Sequence, residues 1–147
     1  MKLTNEFTIN TPVEQAWEVM LDLERVTPCL PGAALTAQVD EEYEGTMTVK
    51  LGPVTTKYDG TVKIAEADEG ARRAVIKASG KDARGQGTAS ANITSTLHDE
   101  GSGATRVRVE TDMRLTGRVA QFGRGVQQDV ATKIMDRFAD CLERELL

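Results

Sequence analysis

Few residues in this chain are of types that do chemistry, and their spacing decides against most of it. His98 is the sole histidine. Asp99 and Glu100 follow it in a stretch that reads as a solvated hairpin, whereas a catalytic base needs a nucleophile held beside it. The two cysteines, Cys29 and Cys141, form no CxxC, and no histidine stands at ligand spacing, so neither a zinc site nor a disulfide framework is indicated. Cys29 follows Pro28 and reads as an inert thiol or as part of a cavity mouth; Cys141 falls on an apolar stripe and reads as core. Asp40, Glu41, Glu42 and Glu44 suit a solvated turn better than a cation site. Gly85-Gln86-Gly87 precedes a strand rather than a helix, so no helix N-terminus waits there for a phosphate. No catalytic or metal-ligating residue is therefore assigned. Tyr58 is the best polar group expected inside, either turning its hydroxyl to a carbonyl ligand or satisfied within the core.

The elements that must position these residues follow from hydrophobic period. Leu3, Asn5, Phe7 and Ile9 alternate with polar neighbours, as in a strand. Thr11 and Pro12 suit the start of a helix, and Val13, Ala16, Trp17, Met20, Leu21 and Leu23 recur at helical spacing for about three turns. Pro28 and Pro31 confine the next stretch to a short helical turn and a tight bend. From Ala33 to Arg118 the period is two, and six strands are expected at 33–40, 43–52, 54–67, 72–80, 86–99 and 104–116. Short turns such as Gly52-Pro53 and Asp68-Glu69-Gly70 join them as antiparallel hairpins. From Val119 to Leu147 the period is helical, with Val119, Phe122, Val126, Val130, Ile134, Phe138, Leu142 and Leu146 on one stripe about 40 Å long. The stripe reaches Leu147 without a stop signal, so a continuation beyond it is expected. Only this helix is large enough to cover one face of a seven-stranded sheet that curls by its own twist.

Composition bears on what lies between the two. Aromatics make up only 4% of the 147 residues, and the expected inward face is rich in Gly60, Ala78, Gly80, Ala89 and Ala91. Interiors pack densely, so small residues must meet large ones or a ligand. Either a cavity lies under the helix, or the helix seats closer where residues are small. Gly123 and Gly125, at the helix start, either loosen it as a gate or permit a close helix–strand contact. The net charge is −5, and the cations are scattered along the chain. Nucleic acid and a membrane held by electrostatics alone are therefore not expected partners. No apolar leader and no apolar run of membrane-spanning length occurs, which points to the cytoplasm.

Three stretches carry a family signal: Thr11-Pro12-Val13 with Trp17; Thr27-Pro28-Cys29-Leu30-Pro31-Gly32; and Leu115 to Arg124, read LTGRVAQFGR. On these the chain resembles the CoxG family of carbon monoxide dehydrogenase subunits, within the START-like, Bet v 1-like (SRPBCC) superfamily, over nearly its whole length. The resemblance implies an α+β helix-grip fold in one ligand-binding domain, 1–147. A curved seven-stranded antiparallel sheet would wrap a long C-terminal helix, with two short helices after strand 1 and a cavity between. It also implies a non-enzymatic role in aerobic CO oxidation. Such a protein would bind a lipophilic molecule such as a respiratory quinone, menaquinone or ubiquinone, with no covalent cofactor. It would link a CO dehydrogenase-type molybdenum hydroxylase to the cytoplasmic membrane, with peripheral contact at the inner face. The C-terminal extension with which some members could touch the membrane is not among these residues. The expected ligand contacts are Met20, Leu30, Met47, Val49, Tyr58, Ile76, Ala91, Met113, Phe122, Val126 and Val130. Loading is expected at one end, near the Cys29–Pro31 bend and Gly123. Two other readings share the pattern: a polyketide cyclase or aromatase, which needs ionisable groups converging in the cavity, and a protein–protein adaptor with a filled core.

Overall fold

A computed structural model describes residues 1–147. The strands are β1 Lys2–Ile9, β2 Ala33–Val39, β3 Glu42–Leu51, β4 Val54–Asp68, β5 Arg73–Asp82, β6 Thr88–Gly101 and β7 Ala104–Leu115. Helices α1 Val13–Met20 and α2 Leu23–Val26 follow β1, and a 3-10 turn, Thr27–Cys29, leads to the bend. The sheet is antiparallel throughout, in the order β1-β7-β6-β5-β4-β3-β2. Strand alternation places the inward residues as the sequence period predicts: Tyr58, Gly60 and Val62 on β4 stand in register with Asp82, Gly80 and Ala78 on β5.

One transverse row of the sheet has almost no side chains. Gly45 pairs with Gly60, Gly60 with Gly80, and Gly80 with Ala89. A Cβ on Gly60 would fall 1.9 Å from the Ser79 carbonyl oxygen, and one on Gly45 2.5 Å from that of Ala34. Only glycine permits strands to approach this closely, so the row is where the sheet can bend most sharply.

The C-terminal segment departs from the single helix expected over 119–147. A 3-10 turn, Arg118–Gln121, comes first; the chain is extended at Phe122 and Gly123; α3 then runs Arg124–Cys141, and a wider π turn ends it at Leu142–Leu146. α3 is 18 residues long, roughly 27 Å at 1.5 Å per residue. The cause of the break is local. Gly123 is the N-cap but offers no side chain to the first-turn N–H groups, so the preceding residues need not be helical. The first helix is also shorter than its apolar period suggests. Pro12 rather than Thr11 caps it, and the Asp22 side chain accepts from Arg25 N–H to start α2 anew. The Thr11 carbonyl instead accepts from the buried Thr105 hydroxyl at 2.7 Å, tying α1 to β7.

α3 lies along β1. Gln128 donates to the Thr4 carbonyl, Asn5 donates to the Thr132 hydroxyl, Phe7 and Phe138 meet edge to face at 6.2 Å, and Asn10 N–H donates to Glu143. Cys29 and Cys141 form a disulfide across 112 residues. This corrects the expectation of two separate thiols: the 3-10 turn and the last turn of α3 are brought together by packing, which no sequence spacing records.

Candidate functional site

The apolar residues form three clusters rather than one core. The first unites α1 with the sheet through Ile9, Val13, Ala16, Trp17, Ala74, Leu97, Val107 and Val109. The second joins α2, the bend and the end of α3 through Val19, Leu23, Val26, Cys29, Phe138 and Leu142. Together they plug one end of the molecule. The third is small, Leu51, Tyr58 and Val119, and stands at the other end, where α3 begins.

The predicted ligand contacts divide among these. Met20, Leu30 and Ile76 pack against the plug, whereas Val49, Tyr58, Phe122 and Val130 belong to the small cluster. Met47, Ala91, Met113 and Val126 join none of the three. Met47, Ala91 and Met113 are half-buried on the concave face, with Ala78 beside Ala91 in the same state. Val126 is 40% exposed although it lies on the apolar stripe of α3. These inward apolar side chains keep part of their surface accessible and lie outside the three clusters.

The bend and the Gly123 region are not one gate. The bend is locked to Cys141 by the disulfide, eighteen residues beyond Gly123 in sequence and roughly 27 Å along the helix. Cys29 is accordingly buried in the plug and does not line a mouth. Gly123 and Gly125 have nothing within 4 Å of where a Cβ would stand, so no close helix–strand contact demands glycine there. Of the two regions, the one around Gly123 carries no covalent tie to the rest of the fold.

A cleft of about 160 Å³ opens at that end, bordered by Thr56, Tyr58, Asp82, Arg84, Arg118 and Val119 among others. Tyr58 reaches it from β4 and Asp82 from the facing position on β5. Burial first, and then the negative charge of Asp82, raise the Tyr58 hydroxyl above its ordinary 10.0, so it is a protonated donor at neutral pH. The Asp82 carboxylate is occupied by its own turn, accepting from Arg84 N–H and Gln86 N–H. Gln127, buried in the first turns of α3, donates to the Val119 carbonyl and holds the 3-10 turn over the cleft. The lining is mixed: Val54, Tyr58, Ala83 and Val119 are apolar among polar and charged neighbours. The sequence singled out Tyr58 by alternation; Asp82, Arg84 and Arg118 were missed because they sit at or beyond strand ends, where period carries no signal. His98 lies far along β6, half-exposed opposite Arg106, and no three His, Cys, Asp or Glu residues converge.

An antiparallel seven-stranded sheet gripping a C-terminal helix, with short helices between its first two strands, defines a START-like helix-grip protein. Solved structures share it. A conserved protein from Geobacillus kaustophilus is 18% identical, with 99% of this chain and 94% of that one covered at a TM-score of 0.85. A START superfamily protein from Mycobacterium smegmatis is 10% identical, with 99% and 96% covered at 0.64. An aromatase/cyclase from Streptomyces sp. R1128 is 8% identical, with 98% and 89% covered at 0.58. At these identities the likeness speaks for the fold. The CoxG family of carbon monoxide dehydrogenase subunits matches residues 6–147, and the chain belongs to that family. No curated protein matches it by sequence. No helix is long and apolar enough to cross a membrane.

Proposed function

We propose that this protein holds a neutral lipophile, a respiratory quinone of the menaquinone or ubiquinone type, and presents it to a CO dehydrogenase-type molybdenum hydroxylase at the cytoplasmic face of the membrane. The observation that carries the reading is a run of inward apolar residues, Ala78, Ala91 and Met113 in one row and Met47 beside Tyr58, that stay half-buried and join none of the three clusters. An isoprenoid tail laid there gains about 25 cal/mol per Å² of apolar surface removed from water. The ring would occupy the cleft beside Tyr58, whose hydroxyl donates to a quinone carbonyl. Met20, Leu30, Val49, Ile76, Phe122, Val126 and Val130 complete the expected lining.

The role is that of a carrier and not a catalyst. The cleft's one carboxylate is already committed to backbone N–H groups, and an aromatase or cyclase needs a free acid or base aimed at its substrate. Family membership supports the link to the hydroxylase. Binding of a short-chain water-soluble quinone, followed calorimetrically, tests the reading. Tyr58→Phe should weaken it several-fold, the worth of one neutral hydrogen bond of about 1 kcal/mol. Turnover of an aromatic polyketide that disappears in the same variant would refute the carrier reading in favour of an enzyme. A wild-type protein that binds no quinone would favour the filled adaptor.

A further inference from the structure

The disulfide joins two parts of the molecule that little else connects. Cys29 closes the 3-10 turn Thr27–Cys29, and Cys141 is the last residue of α3. The bend satisfies its backbone within itself and on β3. Leu30 N–H donates to the Thr27 carbonyl, Ala33 N–H to that of Leu30, and Thr48 N–H to that of Gly32. The Thr27 hydroxyl donates to the Leu23 carbonyl. α3 is tied instead to β1 and the residue after it, through Gln128, Thr132 and Glu143. No hydrogen bond or ion pair runs between stretches 23–32 and 138–147. What holds them together is the S–S bond and the apolar contacts of the second cluster, among them Val26, Phe138 and Leu142.

Those contacts do not depend on the bond. Leu142 and Phe138 are buried, and Phe138 also meets Phe7 of β1 edge to face, so α3 keeps its seat on the sheet when the sulfurs part. The two sulfurs differ in access. Cys29 is 5% exposed, whereas Cys141 is half-buried, and thiol–disulfide exchange proceeds at the sulfur that a thiolate can reach. Directly after Cys141 the helix widens into the π turn, an irregularity that collects at functional sites. The chain has no third cysteine to draw either thiol into another pairing. At the cytoplasmic face of the membrane thiol pools keep cysteines reduced, and the disulfides that form there are usually transient and redox-sensing.

We propose that Cys29–Cys141 is a reversible redox latch, opened by a dithiol, that sets whether the bend can part from the end of α3. A thiolate of the dithiol attacks the Cys141 sulfur; the S–S bond breaks, and Cys29 leaves with the bonding pair and takes up a proton. The second thiolate of the dithiol then attacks its own first sulfur, and Cys141 leaves in turn and is protonated. The two cysteines gain two electrons and two protons, and the dithiol loses the same in becoming a disulfide. Closed, the latch fixes the plug. Open, it lets Leu30 and the bend swing away from α3 and gives a lipophile a second exit. That consequence and the cytoplasmic setting rest on the carrier reading; the latch itself needs no ligand.

The test begins with the ligand-free oxidised chain and dithiothreitol, the thiols being counted by acid quench and alkylation in denaturant. Reduction should free both cysteines at a rate that stays flat over urea concentrations below the unfolding transition, as attack on the native state requires. Amide NMR spectra of the reduced chain should show shifts or broadening confined to 23–32 and 138–147, with β4 to β7 unmoved. Cys29→Ala/Cys141→Ala keeps the site apolar; it should show the reduced spectrum and ignore dithiothreitol, and the reduced wild type gives the same reading if this variant does not fold. A reduction rate that climbs with urea, or a spectrum that changes across the whole sheet or nowhere, would overturn the inference. Stopped-flow release of a short-chain quinone separates the two proposals. Release on the order of ten-fold faster from the reduced chain supports both. Binding to neither form removes the carrier and leaves the latch, whereas equal release from both forms overturns the latch as a gate and leaves the carrier.

Discussion

Replacing Ala91 by Leu distinguishes a hollow from a packed core by the sign of its effect. Ala91 lies on β6 between Ala78 of β5 and Met113 of β7, on the concave face. In a filled interior three added carbons enter occupied space and cost about 1–3 kcal/mol. Here the neighbours are half-buried and belong to no cluster. Each fully buried methylene is worth about 0.8 kcal/mol, so three would give about 2.4. With both neighbours half covered already, roughly half of that remains, a gain of about 1 kcal/mol. Ala74 provides the control. It faces the same side of the sheet from β5, yet it is 4% exposed and sits inside the plug with Trp17 and Leu97. Ala74→Leu should therefore lose about 1–3 kcal/mol. Equilibrium urea unfolding of the ligand-free proteins reads both, and unchanged slopes would show that the denatured state is not the cause. Equal destabilisation by the two substitutions would refute the hollow.

Three further outcomes follow from the same structure. Cys29→Ser/Cys141→Ser opens a loop of 112 residues and should cost up to about 5 kcal/mol by chain entropy, read as a lower urea midpoint; a loss below about 1 kcal/mol would mean the pair is not joined in solution. Gly125→Ala meets no neighbour and should stabilise by about 0.5–1 kcal/mol while slowing quinone exchange in stopped-flow fluorescence; stabilisation with unchanged exchange would remove α3's start as the gate. The raised Tyr58 hydroxyl means the native state holds its proton more tightly than the unfolded chain, which ionises near 10.0. Its contribution is fully present below about pH 10 and is lost as pH rises through the folded value. Wild-type stability should therefore fall more steeply than that of Tyr58→Phe in alkaline urea titrations, and parallel slopes would contradict the burial of the hydroxyl.

Much of this architecture was legible in the chain because a half-buried sheet writes its two faces as alternation. The inward positions of β4 to β7 and the transition to a helical period after Arg118 could be read directly. What alternation cannot record is where in space the inward residues stop touching one another. Met47 and Ile76 look alike in sequence, yet one stays half-buried outside every cluster and the other packs on the plug. The disulfide was hidden for a related reason, since Cys29 and Cys141 meet only after the whole sheet has wrapped. The break before α3 followed from a missing side-chain cap at Gly123, a weak local signal beside the strong apolar stripe.

The central claim is that a lipophile occupies the hollow. Native mass spectrometry of the protein incubated with menaquinone in mild detergent tests it most directly. The account predicts a one-to-one adduct of the quinone's mass in the wild type and its loss in Ala91→Leu. A bare polypeptide mass at saturating menaquinone, or an adduct that Ala91→Leu leaves intact, would contradict it.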